Sequence, residues 1–295
     1  MSRFTMPAWI YRHTTIQYKE NDLYSLQIID KIKEKLKRFH HDDPEVSIVI
    51  PAYNEEKNIL KTLSSISELR TSYRTELIVA NNNSTDRTQE LLDRCGVRSV
   101  FVKDQGISYA RQGGLEAAKA PIIANADADS IYPPEWLDTI VEPLHDPSIS
   151  CSYGTYSFIP GEGNNRFTLG IYETAANAFF AVKRKQRECV NVMGFNFAYR
   201  KADALEVGGF YHQLNRKVTQ RSEDGWMAMC LTQKGKLYLV ESPLARVWTS
   251  DRRLMDDGSI SKALYKRATK ELSRIGIYFT SKGAINIEEE KAKKF

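Results

Sequence analysis

Two aspartates separated by one alanine close a short apolar run between Pro121 and Ser130, P-I-I-A-N-A-D-A-D-S. If that run is a buried strand, Asp127 and Asp129 emerge together at its carboxyl end. Side chains at i and i+2 of an extended backbone point the same way, so both carboxylates can face one small volume. Such a pair suits a hard divalent cation that also holds a diphosphate. A polar loop after a strand, turned by Pro133-Pro134, is the alternative reading of the same residues. A second acidic stretch, Ser222-Glu223-Asp224, opens an amphipathic run through Met227, Cys230 and Leu231. Taken alone, it reads as a helix N-cap.

The elements that must position the aspartate pair are legible upstream. Val46 to Ile50 reads as a buried strand and ends at Pro51-Ala52-Tyr53-Asn54-Glu55-Glu56, before a helical pattern through Ile59, Leu60, Leu63 and Ile66. The order repeats with strand Glu76 to Ala80, turn Asn81 to Asp86 and helix Arg87 to Arg94. It repeats again with strand Val97 to Val102 and a helix from Ser108 to Lys119, and the Pro121 stretch supplies the fourth strand. Strands alternating with helices predict an α/β fold whose mostly parallel sheet is wound by right-handed crossovers, with ligands at the carboxyl ends of the strands. Tyr53, Asn54, Asn82, Asp86 and Asp127 share that edge. Neither G-x-x-x-x-G-K-[ST] nor a G-x-G-x-x-G after the first strand is present, so a glycine-rich phosphate loop is excluded.

Composition sets the class. The 295 residues are 42% hydrophobic and 27% charged, with a mean hydropathy of −0.46, as in a soluble globular protein. No window approaches the roughly 18 apolar residues that span a bilayer. Met1 to Glu20 lacks the apolar centre of a secretory signal, so a cytoplasmic protein is expected. Cys95, Cys151, Cys189 and Cys230 are widely spaced and read as reduced, buried thiols. The net charge of +5 is carried by residues 246–295, where twelve Lys/Arg face seven Asp/Glu. That tail reads either as a solvated face or as a surface for phosphates or for peripheral contact with an anionic membrane. Nucleic-acid modules are absent. Near the start, Leu23, Leu26, Ile29, Ile32, Leu36 and Phe39 recur at helical spacing, capped by Asn21 or Asp22. This predicts a helix packing one stripe against the domain, with a membrane-surface or dimer helix as the alternative.

Farther on, Pro133 to His145 is expected as a helix, residues 150–158 as a strand, Gly161 to Asn165 as a mobile loop and Phe167 to Arg187 as a helix ending in a basic cluster. That cluster reads equally as an acceptor-phosphate contact or as favourable placement at a helix C-terminus. Strands at Lys236–Glu241 and Ala245–Thr249 and a helix from Ser261 to Arg274 complete the pattern. His212 is the one histidine placed near the acidic stretch.

Four segments then carry a resemblance: V-S-I-V-I-P-A-Y-N-E-E at 46–56, N-S-T-D-R-T at 83–88, Y-A-R-Q-G-G at 109–114 and Asp127-Ala128-Asp129. In this order they resemble the successive motifs of glycosyltransferase family 2, over roughly residues 45–255. The resemblance implies a GT-A fold, with a Rossmann-like, mostly parallel central sheet flanked by helices and a smaller acceptor-side subregion. It also implies a nucleotide-sugar donor, a divalent cation and inversion at the anomeric carbon. Carried onto this sequence, Pro51, Ala52, Tyr53 and Glu55 would line the base and ribose pocket, Asp86 would anchor the nucleotide-binding turn, and Arg111 would lie near the diphosphate. Asp127 would contact ribose or the metal, and Asp129 would ligate it. Asn81 and Asn82 stand where the family has two aspartates. The second commonly bonds the nucleobase, and an amide both donates and accepts whereas a carboxylate only accepts, so the base is left open. Asn191 to Tyr199 resembles the family's acceptor-side strand, in which Gly194, Phe195 and Asn196 would sit close to the donor sugar. The family places its general base in an acidic pair about a hundred residues after the D-x-D, which implies Asp224 as the base and Glu223 as its orienting neighbour. Trp248 to Arg253 is similar to a segment that covers the donor, where Arg252 and Arg253 would offset charge on the departing diphosphate.

The expected organisation is an N-terminal helical appendage at 1–44, a transferase domain at 45–255 and a basic helical extension at 256–295. The domain divides into a nucleotide-binding half, 45–130, and an acceptor-binding half, 131–255. The expected function is metal-dependent, inverting transfer of a sugar from a UDP- or GDP-sugar, UDP-sugar first, to a hydroxyl acceptor in polysaccharide or glycolipid synthesis, with Mg²⁺ or Mn²⁺ as cofactor. A non-catalytic glycan-binding or scaffolding relative and a sugar-phosphate nucleotidyltransferase are the alternatives. The acceptor, a glycan or lipid-linked sugar, and the oligomeric state are not specified by the sequence.

Overall fold

A computed structural model describes residues 3–161, 163–210, 222–255 and 258–272. Its centre is a seven-stranded sheet. The strands are β1 (Val46–Ala52), β2 (Thr75–Asn81), β3 (Arg98–Phe101), β4 (Ile122–Asn125), β6 (Ile149–Gly154), β8 (Phe197–Arg200) and β9 (Lys236–Val240), in the order β3-β2-β1-β4-β8-β6-β9. The first four are parallel, β8 runs antiparallel to both neighbours, and β9 is parallel to β6. The expected α/β, mostly parallel architecture is therefore present. β1 is buried along its whole length, as a strand covered on both faces must be. Its alternation divides the core: Val46, Ile48 and Ile50 join one apolar cluster and Val49 the other.

The first cluster is covered by α2 (Leu23–Leu36), α3 (Ile59–Ile66), α4 (Thr88–Arg94) and α6 (Trp136–Val141), which follow α1 (Ala8–Thr14). Asp22 caps α2 by accepting from the Ser25 N–H. Ile29, Ile32, Leu36 and Phe39 lie in this main core, whereas Leu23 and Leu26 face outward. The second cluster lies under α5 (Ile107–Ala117) and α9 (Glu223–Leu231), with α8 (Lys201–Glu206) beside them. α5 rests flush on the sheet because Gly114 has no side chain: a Cβ there would come within 2.3 Å of Val49 Cγ1.

Three sequence expectations change in detail, the first being that the strand expected at Asn191–Tyr199 is Phe197–Arg200 alone, after a 3₁₀ turn at Glu188–Asn191. Residues 150–158 form two strands, because Asn196 Nδ2 donates to both the Thr155 and Ala245 carbonyls at 2.8 Å and holds the chain where it leaves the main sheet. The second piece, β7 (Tyr156–Ile159), enters a small sheet ordered β5-β10-β7 with β5 (Ser130–Ile131) and β10 (Val247–Ser250). The helix predicted to reach His145 is α-helical only to Val141 and continues as a 3₁₀ turn, Glu142–His145. Pro143 has no N–H for the helical ladder. A third apolar cluster joins α7 (Arg166–Arg187), α10 (Arg252–Met255) and α11 (Ile260–Leu272) to Tyr156 and Phe158. No described helix is long and apolar enough to cross a membrane.

Candidate active site

The carboxyl edge of the parallel strands opens into a cavity of about 580 Å³ lined by Pro51, Ala52, Tyr53, Asn54, Glu55, Asn82, Asp127, Asp129 and Arg252, among others. A second cavity, about 360 Å³, is lined by Arg111, Glu223, Asp224, Gly194, Phe195 and a group of aromatic side chains. Ile107, Asp127 and Asp129 belong to both walls, so the cavities meet at the aspartate pair.

Topology explains the meeting. β5 follows Asp129 directly and pairs with β10, Thr249 opposite Ser130. This register delivers Arg252, just after β10, to the acids: its Nη2 lies 3.1 Å from Glu55 Oε1 and 3.2 Å from Asp129 Oδ2. β8 runs antiparallel to β4 with Phe197 opposite Asn125, which brings the Met193–Asn196 turn to the end of β4. Gly194 must lack a side chain there, since a Cβ would stand 2.3 Å from Arg111 Nη2.

Arg111 is fully buried at the junction of the two halves. Its Nη2 donates to Asp127 Oδ1 at 2.7 Å, and its Nε is 3.6 Å from Glu223 Oε1. Burial alone would lower its pKa, and the charges of Asp127, Glu223 and Asp224 more than reverse that and raise it. Arg111 is thus a fixed cation that ties the aspartate pair to the second acidic pair.

Ser222 caps α9, accepting from Gly225 N–H, and this places Glu223 and Asp224 in the first turn on the wall of the second cavity. Capping and cavity placement are both satisfied by the same triplet. Asp224 accepts from Gly194 N–H at Oδ2 and from Gly225 N–H at Oδ1, each at 2.7 Å. Two fixed donors set the direction of the carboxylate.

Asn82 lines the first cavity and also holds its floor. Its Nδ2 donates to the Val102 and Asp104 carbonyls and its Oδ1 accepts from Gly106 N–H, at 3.2, 2.6 and 2.8 Å. Both amide hydrogens hold the loop that floors the first cavity. A carboxylate could not donate to either carbonyl, which is a physical reason for asparagine here. Asn81 is buried and occupied by Gln89 and Ser84 N–H. Asp86 lies outside both linings; it accepts from Thr88 N–H and hydroxyl and from Glu56 N–H, and so anchors the turn against the first loop. Asn196 reaches neither cavity, since its amide is spent on Thr155, Ala245 and the Trp136 indole. The described side chains of the basic cluster at 183–187 line neither cavity. The ends of the expected mobile loop are tied down, with Gly161 N–H and Asn164 Nδ2 both donating to Asp251. The Arg253 side chain and His212 lie outside the described residues.

Sequence reasoning missed three supports. Tyr132, fully buried, accepts from Asp127 N–H at 2.8 Å and donates to the Phe195 carbonyl at 3.1 Å, pinning the aspartate pair to the Met193–Asn196 turn. Burial pushes its phenol well above the usual range, and the neighbouring Asp127 charge adds to that. The Thr62 hydroxyl bridges the Ala128 and Ser130 carbonyls. Arg267, from the basic tail, lines the second cavity. No spacing in the sequence marks any of them.

A sequence profile described as glycosyl transferase family 2 matches residues 47–208. The chain belongs to glycosyl transferase family 2. Among its relatives, glycosyltransferase AglE of Haloferax volcanii is 30% identical over 178 residues, 58% of this chain and 57% of that protein. Validoxylamine A glucosyltransferase of Streptomyces hygroscopicus subsp. limoneus is 29% identical over 123 residues, 38% of this chain and 27% of the relative. The chain therefore matches only about a quarter to somewhat over half of these relatives. In fold it is similar to glucosyl-3-phosphoglycerate synthase from Mycobacterium tuberculosis, solved with Mn²⁺, UDP-glucose and phosphoglyceric acid, at 21% identity and a TM-score of 0.52 over 88% of this chain and 86% of that one. It is also similar to the mannosyltransferase PcManGT from Pyrobaculum calidifontis, solved with GDP-Man and Mn²⁺, at 18% identity and 0.53 over 89% and 73%. The expected GT-A fold of the family is thereby met.

Proposed function

We propose that this family 2 chain transfers a sugar from a nucleotide-diphosphate sugar, a UDP-sugar first and a GDP-sugar as the alternative, to a hydroxyl acceptor with inversion. The observation that carries the reading is the meeting of two cavities at Asp127 and Asp129, with Asp224 on the far cavity alone. One cavity takes the nucleotide, with Pro51, Ala52, Tyr53 and Glu55 at its base and ribose end. The other takes the acceptor. The acceptor oxygen bonds to the anomeric carbon as the bond from that carbon to the diphosphate oxygen breaks, and the bonding pair leaves with the diphosphate. Asp224 takes the hydroxyl proton, and attack from the side opposite the leaving group inverts the centre.

A divalent cation fits the donor set. Asp129 and Asp127 supply hard oxygens on one wall, and no group of three His, Cys, Asp or Glu among the described residues would hold an ion unaided. Diphosphate oxygens and water would complete the shell. Bound Mg²⁺ or Mn²⁺ supplies positive charge against the leaving diphosphate. Arg252, now shared between Glu55 and Asp129, adds a second positive group at the same wall. Arg111 and Glu223 keep the acidic pairs in register. The fold relatives solved with UDP-glucose or GDP-Man and Mn²⁺ are consistent with this chemistry.

The test is thermal stabilisation by a series of UDP- and GDP-sugars with and without Mn²⁺, followed by product analysis. A glycosidic product of inverted configuration, lost in Asp129→Ala, is the expected result. A nucleotidyl product, or binding with no turnover of any donor, would overturn it.

A further inference from the structure

The second cavity contains a cation that the transfer step does not use. Arg267, on α11, donates from Nη1 to the Tyr172 hydroxyl at 2.8 Å, and the Tyr156 hydroxyl is its second side-chain partner. Its guanidinium carbon lies 4.8 Å from the Phe180 ring centre and 5.6 Å from that of Tyr172. Among the described residues no carboxylate pairs with it. The acid whose charge reaches Tyr156, Glu173, is already held by Arg166, the Ser157 hydroxyl and Phe158 N–H. Aromatic faces offset part of the cost of a half-buried cation, but a carboxylate or phosphate offsets more.

The hydrogen-bond count points the same way. A guanidinium carries five N–H donors, and two phenol oxygens leave several unspent. A phenol that accepts from Arg267 keeps its own O–H to give. Arg267, Tyr156 and Tyr172 thus present donors to one cavity whose remaining charged lining, among the described residues, is Asp127, Asp129, Arg111, Glu223 and Asp224. Arg111 is committed to Asp127 and Glu223. An anionic group entering this space is repelled by the acids and attracted by Arg267, which fixes the direction in which the molecule lies.

We propose that the acceptor is a hydroxyl compound bearing a carboxylate or phosphate, which Arg267 and the Tyr156 and Tyr172 hydroxyls hold while the acceptor hydroxyl meets Asp224. This rests on the transferase reading and narrows its acceptor class. Titration calorimetry on the full chain, with Mn²⁺ and the nucleoside diphosphate that stabilises it most, compares three probes: glucose, glucuronate and glucose 6-phosphate. The expected result is that one charged probe binds about 10- to 100-fold more tightly than glucose, and the arm that does so identifies the anion. Arg267→Met should bring that probe to within about 3-fold of glucose with nucleoside diphosphate affinity retained, while Arg267→Lys keeps part of the preference. Glucose binding as tightly as both charged probes, or an anion preference that survives Arg267→Met, overturns the proposal. If Arg267→Met fails to fold, the Tyr156→Phe, Tyr172→Phe double variant keeps the rings and removes the hydroxyls; loss of the preference supports the proposal and full retention overturns it. Donor hydrolysis without any anion preference sinks this inference alone. Failure to bind any nucleoside diphosphate sinks the transferase reading with it.

Discussion

Replacing Asp224 by asparagine tests the division of labour between the two cavities. The carboxylate accepts one N–H at each oxygen, from Gly194 and from Gly225. Asparagine keeps one acceptor and turns an NH₂ toward the other donor, so one of the two bonds is lost. That costs on the order of 1 kcal/mol, a fall in melting temperature of about 2 °C for a chain of this size. The chemical loss is larger. A positioned general base contributes about 10²- to 10⁴-fold, or roughly 3–5 kcal/mol of barrier, so kcat for transfer should fall by that factor. Asp224 lines the second cavity and not the first, so affinity for the nucleoside diphosphate should stay within about 3-fold. Calorimetric donor binding alongside initial-rate transfer separates the two effects. Equal loss of binding and turnover, or a kcat reduced less than about 10-fold, would refute the assignment of Asp224 as the base.

Asp129→Ala should abolish metal-dependent donor turnover and leave Arg252 with Glu55 alone; a variant whose turnover and Mn²⁺ response match the parent chain would remove Asp129 from the site. Asn82→Asp places a carboxylate against the Val102 and Asp104 carbonyls and removes both donors, so it should destabilise the chain by about 1–3 kcal/mol in denaturant titration and weaken donor binding with it. His13 is buried, with its pKa lowered to about 4 by desolvation, partly opposed by Glu68. The unfolded chain takes up that proton near pH 6.5 and the folded chain does not, so stability should be fully present above pH 6.5 and decline, by at most about 3 kcal/mol, as pH falls toward 4; His13→Gln should flatten that slope in denaturation midpoints measured across the range. Deleting residues 1–40 removes Ile29, Ile32, Leu36 and Phe39 from the main core, and the expected outcome is an aggregated product; a soluble truncation with full donor turnover would instead make the segment a dispensable appendage.

Much of the first cavity was legible because its signals are local. The alternation of buried runs with helical runs fixed four parallel strands, and their ends brought Tyr53, Asn82 and Asp127 to one cavity wall. Boundaries moved by a residue or two: the strand expected at Glu76–Ala80 is Thr75–Asn81, and the helix expected at Ser108–Lys119 is Ile107–Ala117. What stayed hidden depends on pairing between distant segments. The small sheet is built from pieces of two and four residues, of which β5 and β10 pair across more than a hundred positions; they are too short for any period to register, and it is this sheet that sets Arg252 beside Asp129. Tyr132 and Thr62 act through backbone carbonyls and an N–H, partners that no residue type announces.

The asparagine at position 82 shows why a motif departure needs the surrounding backbone to interpret it. From the sequence, Asn82 left the base open, because an amide can present either polarity. In the fold, both of its hydrogens and its oxygen are engaged by the loop from Val102 to Gly106. The loop that it shapes brings Gln105 and Gly106 to the same cavity, which Asn82 also lines. A backbone carbonyl or N–H in such a loop can read a base edge as well as a side chain can. The departure from aspartate thus supplies the two donors that hold the cavity's floor, while the cavity keeps its place at the strand ends.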